Sequence, residues 1–423
     1  KTPAAETSTE GAAYVLSSEM TIGYGDYDNL LEAARQTGKT VETVVGYALL
    51  RGVHECPDGE APPPSEPVPV DPAAFAKNLA FSVSGYTGAS TLTNFPVLVR
   101  LAEDSPDGFR YADLADGTTG SEIRFADAAG FSLPYEIEKW DPAGTSVVWV
   151  RLPELAAGTS FTMYYGGTSG DAVNATDVWS ADYVGVWHMN GYDEVIGARD
   201  STGHEFHGVA ETAPKPSPEA RIGGALQCNG KTIAAPNYEP TCPVGGVFTL
   251  SGWFKAPNYS SGYPFFLHKY EGSGNARNGY MFEIEANATH IAWCVSKNSH
   301  TFQVPANPDL RSNWLFFTAT CDGSKTIIYH NGVQNFTMNT TAGVNSQPFR
   351  MGNETFMVDE YRVNKTCKSA AWVKAEYDTV ANADFVTVSE VRSLATDMLT
   401  ITAVPEELGA VSPAYQVNNS LAD

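Results

Sequence analysis

Val184-Gly185-Val186-Trp187-His188-Met189-Asn190 opens a stretch, residues 183–378, built from short apolar or aromatic runs that stop at Gly, Asn or Asp. The next blocks are Asp200-Ser201-Thr202-Gly203-His204, Ile222-Gly223-Gly224-Ala225-Leu226-Gln227-Cys228-Asn229-Gly230 and Phe248-Thr249-Leu250-Ser251-Gly252-Trp253-Phe254. Ile327-Ile328-Tyr329-His330-Asn331-Gly332 and Val358-Asp359-Glu360-Tyr361-Arg362-Val363 follow. Such alternation is the period of a half-buried strand, and the small or polar stop is its turn. Many strands of this kind, with almost no helical pattern between them, predict a two-sheet antiparallel sandwich.

The order and content of these blocks resemble a laminin-G-like (concanavalin A-like) jelly roll of the variety found on microbial surface proteins. That resemblance implies a carbohydrate- or protein-binding module more often than an enzyme, and a fold by itself does not fix a function. Upstream, residues 73–170 hold further strand blocks: Phe95-Pro96-Val97-Leu98-Val99, Leu133-Pro134-Tyr135-Glu136-Ile137-Glu138, Val147-Val148-Trp149-Val150 and Phe161-Thr162-Met163-Tyr164-Tyr165. They resemble a bacterial and archaeal domain of unknown function that often directly precedes a laminin-G-like module. The resemblance implies a second β-sandwich at the cell exterior and supplies no activity.

The fold class expected is therefore mostly β, with two consecutive antiparallel β-sandwich (jelly-roll) domains and a short helical N-terminal segment. The segment spans 1–55, where Leu30, Leu31, Ala34, Val41, Val44, Val45, Ala48 and Leu49 recur at helical spacing. A proline-dense linker covers 56–72, an extended semi-rigid spacer by composition. The sandwich domains span 73–176 and 177–380. Residues 381–423 read as a strand-like tail that pairs with an existing sheet edge, or as the start of a further domain.

Asp+Glu 49 against Lys+Arg 26 gives a formal net charge of -23 over 423 residues. So acidic a surface repels phosphate backbones and anionic lipid, which argues against nucleic acid as a partner. No apolar run is long enough to span a bilayer, so no membrane insertion is expected. An exported protein, extracellular or at the cell surface, fits the composition. Cys56, Cys228, Cys242, Cys294, Cys321 and Cys367 lack zinc-finger spacing; they are open to disulfides in many pairings, or to core positions for Cys228 and Cys294.

Glu136 and Glu138 point to one face of a strand, with Asp141 beyond, and Glu283 and Glu285 repeat the pattern. Paired carboxyls are what a retaining glycosidase needs. The order Glu-Ile-Glu-Lys-Trp-Asp departs from the jelly-roll glucanase order, however, and alternating solvent-facing acids explain both pairs. No nucleophile elbow, phosphate loop or His-Glu-x-x-His motif occurs. His204, His207, His268, His290, His300 and His330 are scattered, as surface or turn residues would be.

Aromatic loops are the better lead. Tyr259 and Tyr263 sit in a polar loop, and Tyr270 adjoins a Gly/Asn-rich one carrying Asn275 and Arg277. Sugar rings stack on exposed aromatics while Asn and Arg bind hydroxyls; the alternative is that the tyrosines cap the core. The resemblance also implies one structural calcium ion, with Asp200 and Asp359 at the matching acidic positions; the alternative has Asp200 capping a turn and Asp359 paired with Arg362 or another cation. The functional expectation is non-catalytic adhesion to glycan or a glycosylated surface protein. A structural spacer or filament subunit, self-associating through its N- and C-terminal segments, is the alternative, and a glycoside hydrolase the second alternative.

Overall fold

The computed structural model describes residues 68–393, apart from 107, 115–116, 168–174, 180–181, 238–245, 260–261, 263, 273–277, 285–290, 296–297, 301–309, 340–341 and 344. The segment 1–55, most of the proline-rich linker and the end of the tail lie outside the described residues. Val68 and Val70, at the end of that linker, are not spacer-like. Their amides donate to Ser132 Oγ and Gly130 O, laying the chain along a hairpin of the first domain.

That domain contains β1 (Lys77–Ser82), β2 (Leu92–Ala102), β3 (Arg124–Asp127), β4 (Ser132–Leu133), β5 (Tyr135–Lys139), β6 (Thr145–Leu155) and β7 (Ser160–Tyr165). One sheet has the order β2-β6-β5, and β1-β7-β3-β4 run side by side in the sheet facing it. Leu79, Phe81, Phe125, Phe161 and Met163 fill the space between them. The unbroken apolar run Val147-Val148-Trp149-Val150 in β6 is buried on both faces, as continuous rather than alternating hydrophobicity requires. One face meets the domain's own core; the other meets the second domain.

The second domain starts with β8 (Tyr183–Trp187), β9 (Lys215–Pro216), β10 (Leu226–Gln227), β11 (Ile233–Ala235) and β12 (Val247–Lys255). It continues through β13 (Phe265–Glu271), β14 (Asn278–Ile284), β15 (Ile291–Val295) and β16 (Asn298–His300). Last come β17 (Leu315–Asp322), β18 (Thr326–His330), β19 (Val333–Met338), β20 (Phe349–Met351) and β21 (Met357–Asn364). The larger sheet runs β19-β18-β17-β12-β21-β10-β9, with β8 also on β21; the smaller runs β11-β20-β13-β14-β15-β16. Phe254, Phe266, Phe282, Phe317 and Tyr361 pack between them. Two antiparallel sheets face to face form the expected sandwich.

The outward face of the larger sheet is not left to solvent. Ser251, Thr318, Thr320, Arg362 and Asn364 on it are buried. Trp253 and Phe316, from the same face, join the apolar cluster of the first domain.

A helix the sequence reading missed helps cover this face. α1 (Ala370–Ala381) starts at Ser369, whose side chain accepts the Trp372 amide and so satisfies one free N–H of the first turn. Trp372 meets Phe95 edge-on, ring centroids 4.9 Å apart. Thr379 Oγ1 accepts from Leu98 N at 3.0 Å, and Arg100 donates to the carbonyls of Thr379 and Val380. Tyr377 lies over Trp253 on the other side. The chain then returns to the first domain, where β22 (Thr387–Ser393) pairs antiparallel with β1. The described part of the tail thus adds to a sheet edge of the first domain, and its remainder lies outside the described residues.

Since the domains share an apolar cluster, an intervening helix and a returning strand, thermal unfolding should follow one cooperative transition. Trp372→Ala, which opens a cavity at the junction, should destabilise by about 3–5 kcal/mol. Two resolved calorimetric transitions, with only one moved by Trp372→Ala, would show that the domains unfold separately.

Candidate functional site

β5 presents Glu136 and Glu138 toward the second domain, where the sequence reading had put them in solvent. Both are withdrawn from water: the Glu138 side chain is 0% exposed and that of Glu136 13%. Their alternation is as expected; what covers them comes from distant β8 and β21.

β8 ends at Trp187, and His188 follows directly. His188 Nδ1 lies 2.6 Å from Glu360 Oε1 and 3.7 Å from Glu138 Oε2, while Nε2 lies 3.2 Å from Glu136 Oε2. Glu360 owes its position to a bulge in β21. Opposite β12, Ser251 pairs with Arg362 but Trp253 pairs with Asp359, so β21 carries one extra residue. Glu360 takes φ 53°, the left-handed region a side chain normally avoids. The bulge lets Asp359, Glu360 and Arg362 all leave the sheet on the first-domain side. Tyr361 meanwhile stays in the second domain's core.

Donors surround the acids. Glu136 accepts from Trp179 Nε1 at 2.6 Å and Ser201 Oγ at 2.7 Å; Glu138 Oε2 accepts from Trp149 Nε1 at 2.9 Å. Arg362 donates to Glu360 Oε2 at 2.5 Å and Glu376 Oε1 at 3.3 Å, with its guanidinium 4.4 Å above the Trp149 ring. Gly223 closes one side: a Cβ there would fall 1.7 Å from Glu138 Oε1, and its φ of +55° suits glycine.

Burial opposes charge throughout, and the partners decide the outcome. For His188, burial pulls down but Glu360 and Glu136 hold the imidazole well above its ordinary range. Burial pushes Glu136 and Glu360 up, yet His188, with Arg362 beside Glu360, brings both below the usual carboxylate range. For Glu138, burial and the Glu360 charge outweigh His188 and the Trp149 hydrogen bond and push it to about 8. Asp359 is raised well above its ordinary value by burial, Glu360 and Glu138. The interface thus holds an imidazolium and a guanidinium between two carboxylates, flanked by neutral acids. The Glu136–Glu138 pair is packed into the junction rather than set out on an exposed sheet face.

The other expected residues are dispersed. Asp200 caps its turn: Oδ1 accepts from Val186 N and Thr202 N, and Oδ2 from Thr202 Oγ1 and Phe206 N. Asp359 does not pair with Arg362; its Oδ2 accepts from Arg221 N at 2.7 Å and Ile222 N at 3.1 Å. Calcium at these acids would have to displace those donors. Tyr259 is buried at 4% exposure, with its hydroxyl donating to Gly262 O, and so caps the core rather than offering a stacking face. Tyr270 is half-buried on the outward side of β13, while Tyr263, Asn275 and Arg277 lie outside the described residues. Cys228 and Cys321 are buried free thiols and Cys367 an exposed one.

His188, Glu360 and Glu376 escaped the sequence reading, which considered Arg362 only as a partner for Asp359. The one local hint was Glu360-x-Arg362, opposite charges two apart inside an otherwise apolar strand. Arg362→Met should strand Glu360 and Glu376 without their cation and cost about 3–5 kcal/mol in urea unfolding. Glu376→Gln should cost much less, because Ser251 still donates to the amide oxygen. Equal, small losses for both would mean that the ion pairs do not hold the junction.

Comparison with known proteins gives two family-model matches and distant structural likenesses. No curated protein matches the chain. Among solved structures, the binding domain of Paraclostridial Mosquitocidal Protein 1 aligns with TM-score 0.39 and 13% identity, covering 48% of this chain and 53% of that one. The botulinum neurotoxin serotype D binding domain aligns with TM-score 0.37 and 12% identity, covering 47% and 51%. The chain spans about half the length of these structures. Residues 119–198 match a domain of unknown function, DUF2341. Residues 229–374 match the concanavalin A-like lectin/glucanases superfamily model, downstream of the DUF2341 match.

Proposed function

We propose that the chain is a non-catalytic binding module of an extracellular or cell-surface protein, and that its ligand is a glycan or a glycosylated partner. What supports this reading is the outward face of the smaller sheet in the concanavalin A-like domain. Arg350, His268 and Met281 form one row across β20, β13 and β14. The Phe265 ring stacks on His268 at 4.3 Å, and the Tyr270 ring lies 5.9 Å from it. Arg350 Nη1 and His268 Nδ1 are buried without hydrogen-bond partners. Burial and the Arg350 charge lower His268 to about 4, which keeps it neutral at physiological pH. Aromatic faces beside unsatisfied polar atoms suit a sugar, whose ring stacks while its hydroxyls fill the vacant bonds. The strongly acidic chain argues against nucleic acid, and no described helix is long and apolar enough to cross a membrane.

A structural spacer is the second reading. The shared core and buried charges at the domain junction favour it, because they suppress the interdomain motion that tandem domains otherwise show. Self-association through the terminal segments would involve residues outside those described.

A glycan array should give specific hits, and Arg350→Ala should weaken them by about tenfold or more, the loss of a charged hydrogen bond. No hit for the wild-type protein, or unchanged hits for Arg350→Ala, would remove the sheet face as the site. Bound glycans should release no reducing sugar; release abolished by Glu136→Gln would instead identify a hydrolase.

Calcium at Asp200 and Asp359 is tested by melts in chelator and in millimolar calcium. A bound ion raises the midpoint with calcium concentration. Equal midpoints would leave both acids as turn-holding residues.

A further inference from the structure

We propose that Glu138, His188 and Glu360 form a site for one divalent transition-metal ion of the zinc class at the junction of the two sandwiches. One ligand atom from each of these side chains lies within 4.8 Å of the others, and all three residues are buried. His188 Nδ1 is 2.6 Å from Glu360 Oε1 and 3.7 Å from Glu138 Oε2. Four-coordinate zinc, with bonds of about 2.0–2.2 Å to nitrogen and oxygen, spaces its ligands about 3.3–3.5 Å apart. The two His188 separations bracket that spacing, and the Glu138–Glu360 pair lies within 4.8 Å.

One observation separates this cluster from an ordinary group of acids. Glu138 Oε1 and Asp359 Oδ1 are both buried with no hydrogen-bond partner, although Asp359 is 0% exposed and the Glu138 side chain likewise. Unsatisfied buried carboxyl oxygens are rare and point to a missing partner.

The outer partners are those of a metal centre. A metal-bound histidine usually gives its second ring nitrogen to a carboxylate, which fixes the tautomer and raises its basicity. His188 does so with Glu136, itself held by Trp179 and Ser201. Arg362 holds the far oxygen of Glu360, and Trp149 holds Glu138. One imidazole and two carboxylates in a dry space suit zinc; calcium and magnesium want more oxygens and usually keep water. Because the site is sealed, the ion would enter as the domains close on one another during folding.

The test refolds the full chain from denaturant in chelator or in stoichiometric zinc. Metal content after gel filtration and the melting midpoint are then measured. The zinc-refolded protein should retain one zinc ion per chain and melt higher than the chelator-refolded protein. Glu138→Gln should lose the zinc, while Glu376→Gln, beside the site but not a ligand, should keep it. Refolding the wild type with Co(II) covers the case in which Glu138→Gln does not fold: a four-coordinate visible spectrum supports the site, and its absence counts against it. Wild-type protein without stoichiometric zinc and with identical midpoints, or Glu138→Gln retaining a full equivalent, would overturn the assignment.

Discussion

Taking carboxylates, an imidazole and a guanidinium out of water between two β-sandwiches is the constraint on which the rest of this structure depends. Each buried ion costs several kcal/mol in lost hydration, recovered only where geometry and hydrogen bonds are good. Glu136 receives three donors, Glu360 two basic partners and Arg362 two carboxylates over an aromatic face. The contacts of His188 and Ser201 with Glu136, of His188 with Glu138 and of Arg362 with the Trp149 ring are lost if the domains separate, because Glu136, Glu138 and Trp149 come from one domain and the other residues from the second. The bulge that forces Glu360 to φ 53° is the local strain of this arrangement. Such strain persists only where the surroundings over-determine it.

The same constraint gives the flanking elements their reason. An outward sheet face bearing Ser251, Thr318, Thr320 and Arg362 reads as solvent-facing, yet α1 and β6 lie against it. α1 supplies Glu376 to Arg362 and Ser251, while Trp372 and Tyr377 fill the apolar space around them. The strand after α1 then extends the first domain's sheet. The chain thus passes from the first sandwich to the second and back. With the larger sheet covered, the row proposed as the glycan site, from Arg350 to Met281, lies on the smaller sheet's outward face.

Much of the fold was legible from alternation and turn residues, since period-two burial writes itself directly into a strand. The run Val147–Val150 even carried its two-sided burial. α1 was missed although Ser369 is a ready N-cap and Ala370–Ala381 lacks Gly and Pro, because it sits inside a stretch otherwise read as strands. The site was half legible. Glu136-x-Glu138 was visible as a pair on one face, but solvent and a second domain are equivalent to a single strand's pattern. His188 follows its strand without any mark of its role, 172 positions from Glu360 in sequence. The bulge at Glu360 depends on register against β12, which no local pattern encodes. Asp200 was singled out for its oxygens, and the turn it closes uses them.

The central claim is that charges contributed by separate domains are energetically coupled across the junction. A double-mutant cycle between Glu136 and His188, read by urea unfolding with Glu136→Gln, His188→Asn and the pair, measures that coupling. The interaction energy should exceed about 1 kcal/mol, because each single change leaves a buried partner uncompensated and the double change removes both. Additivity within about 0.3–0.5 kcal/mol, the behaviour of independent sites, would contradict it.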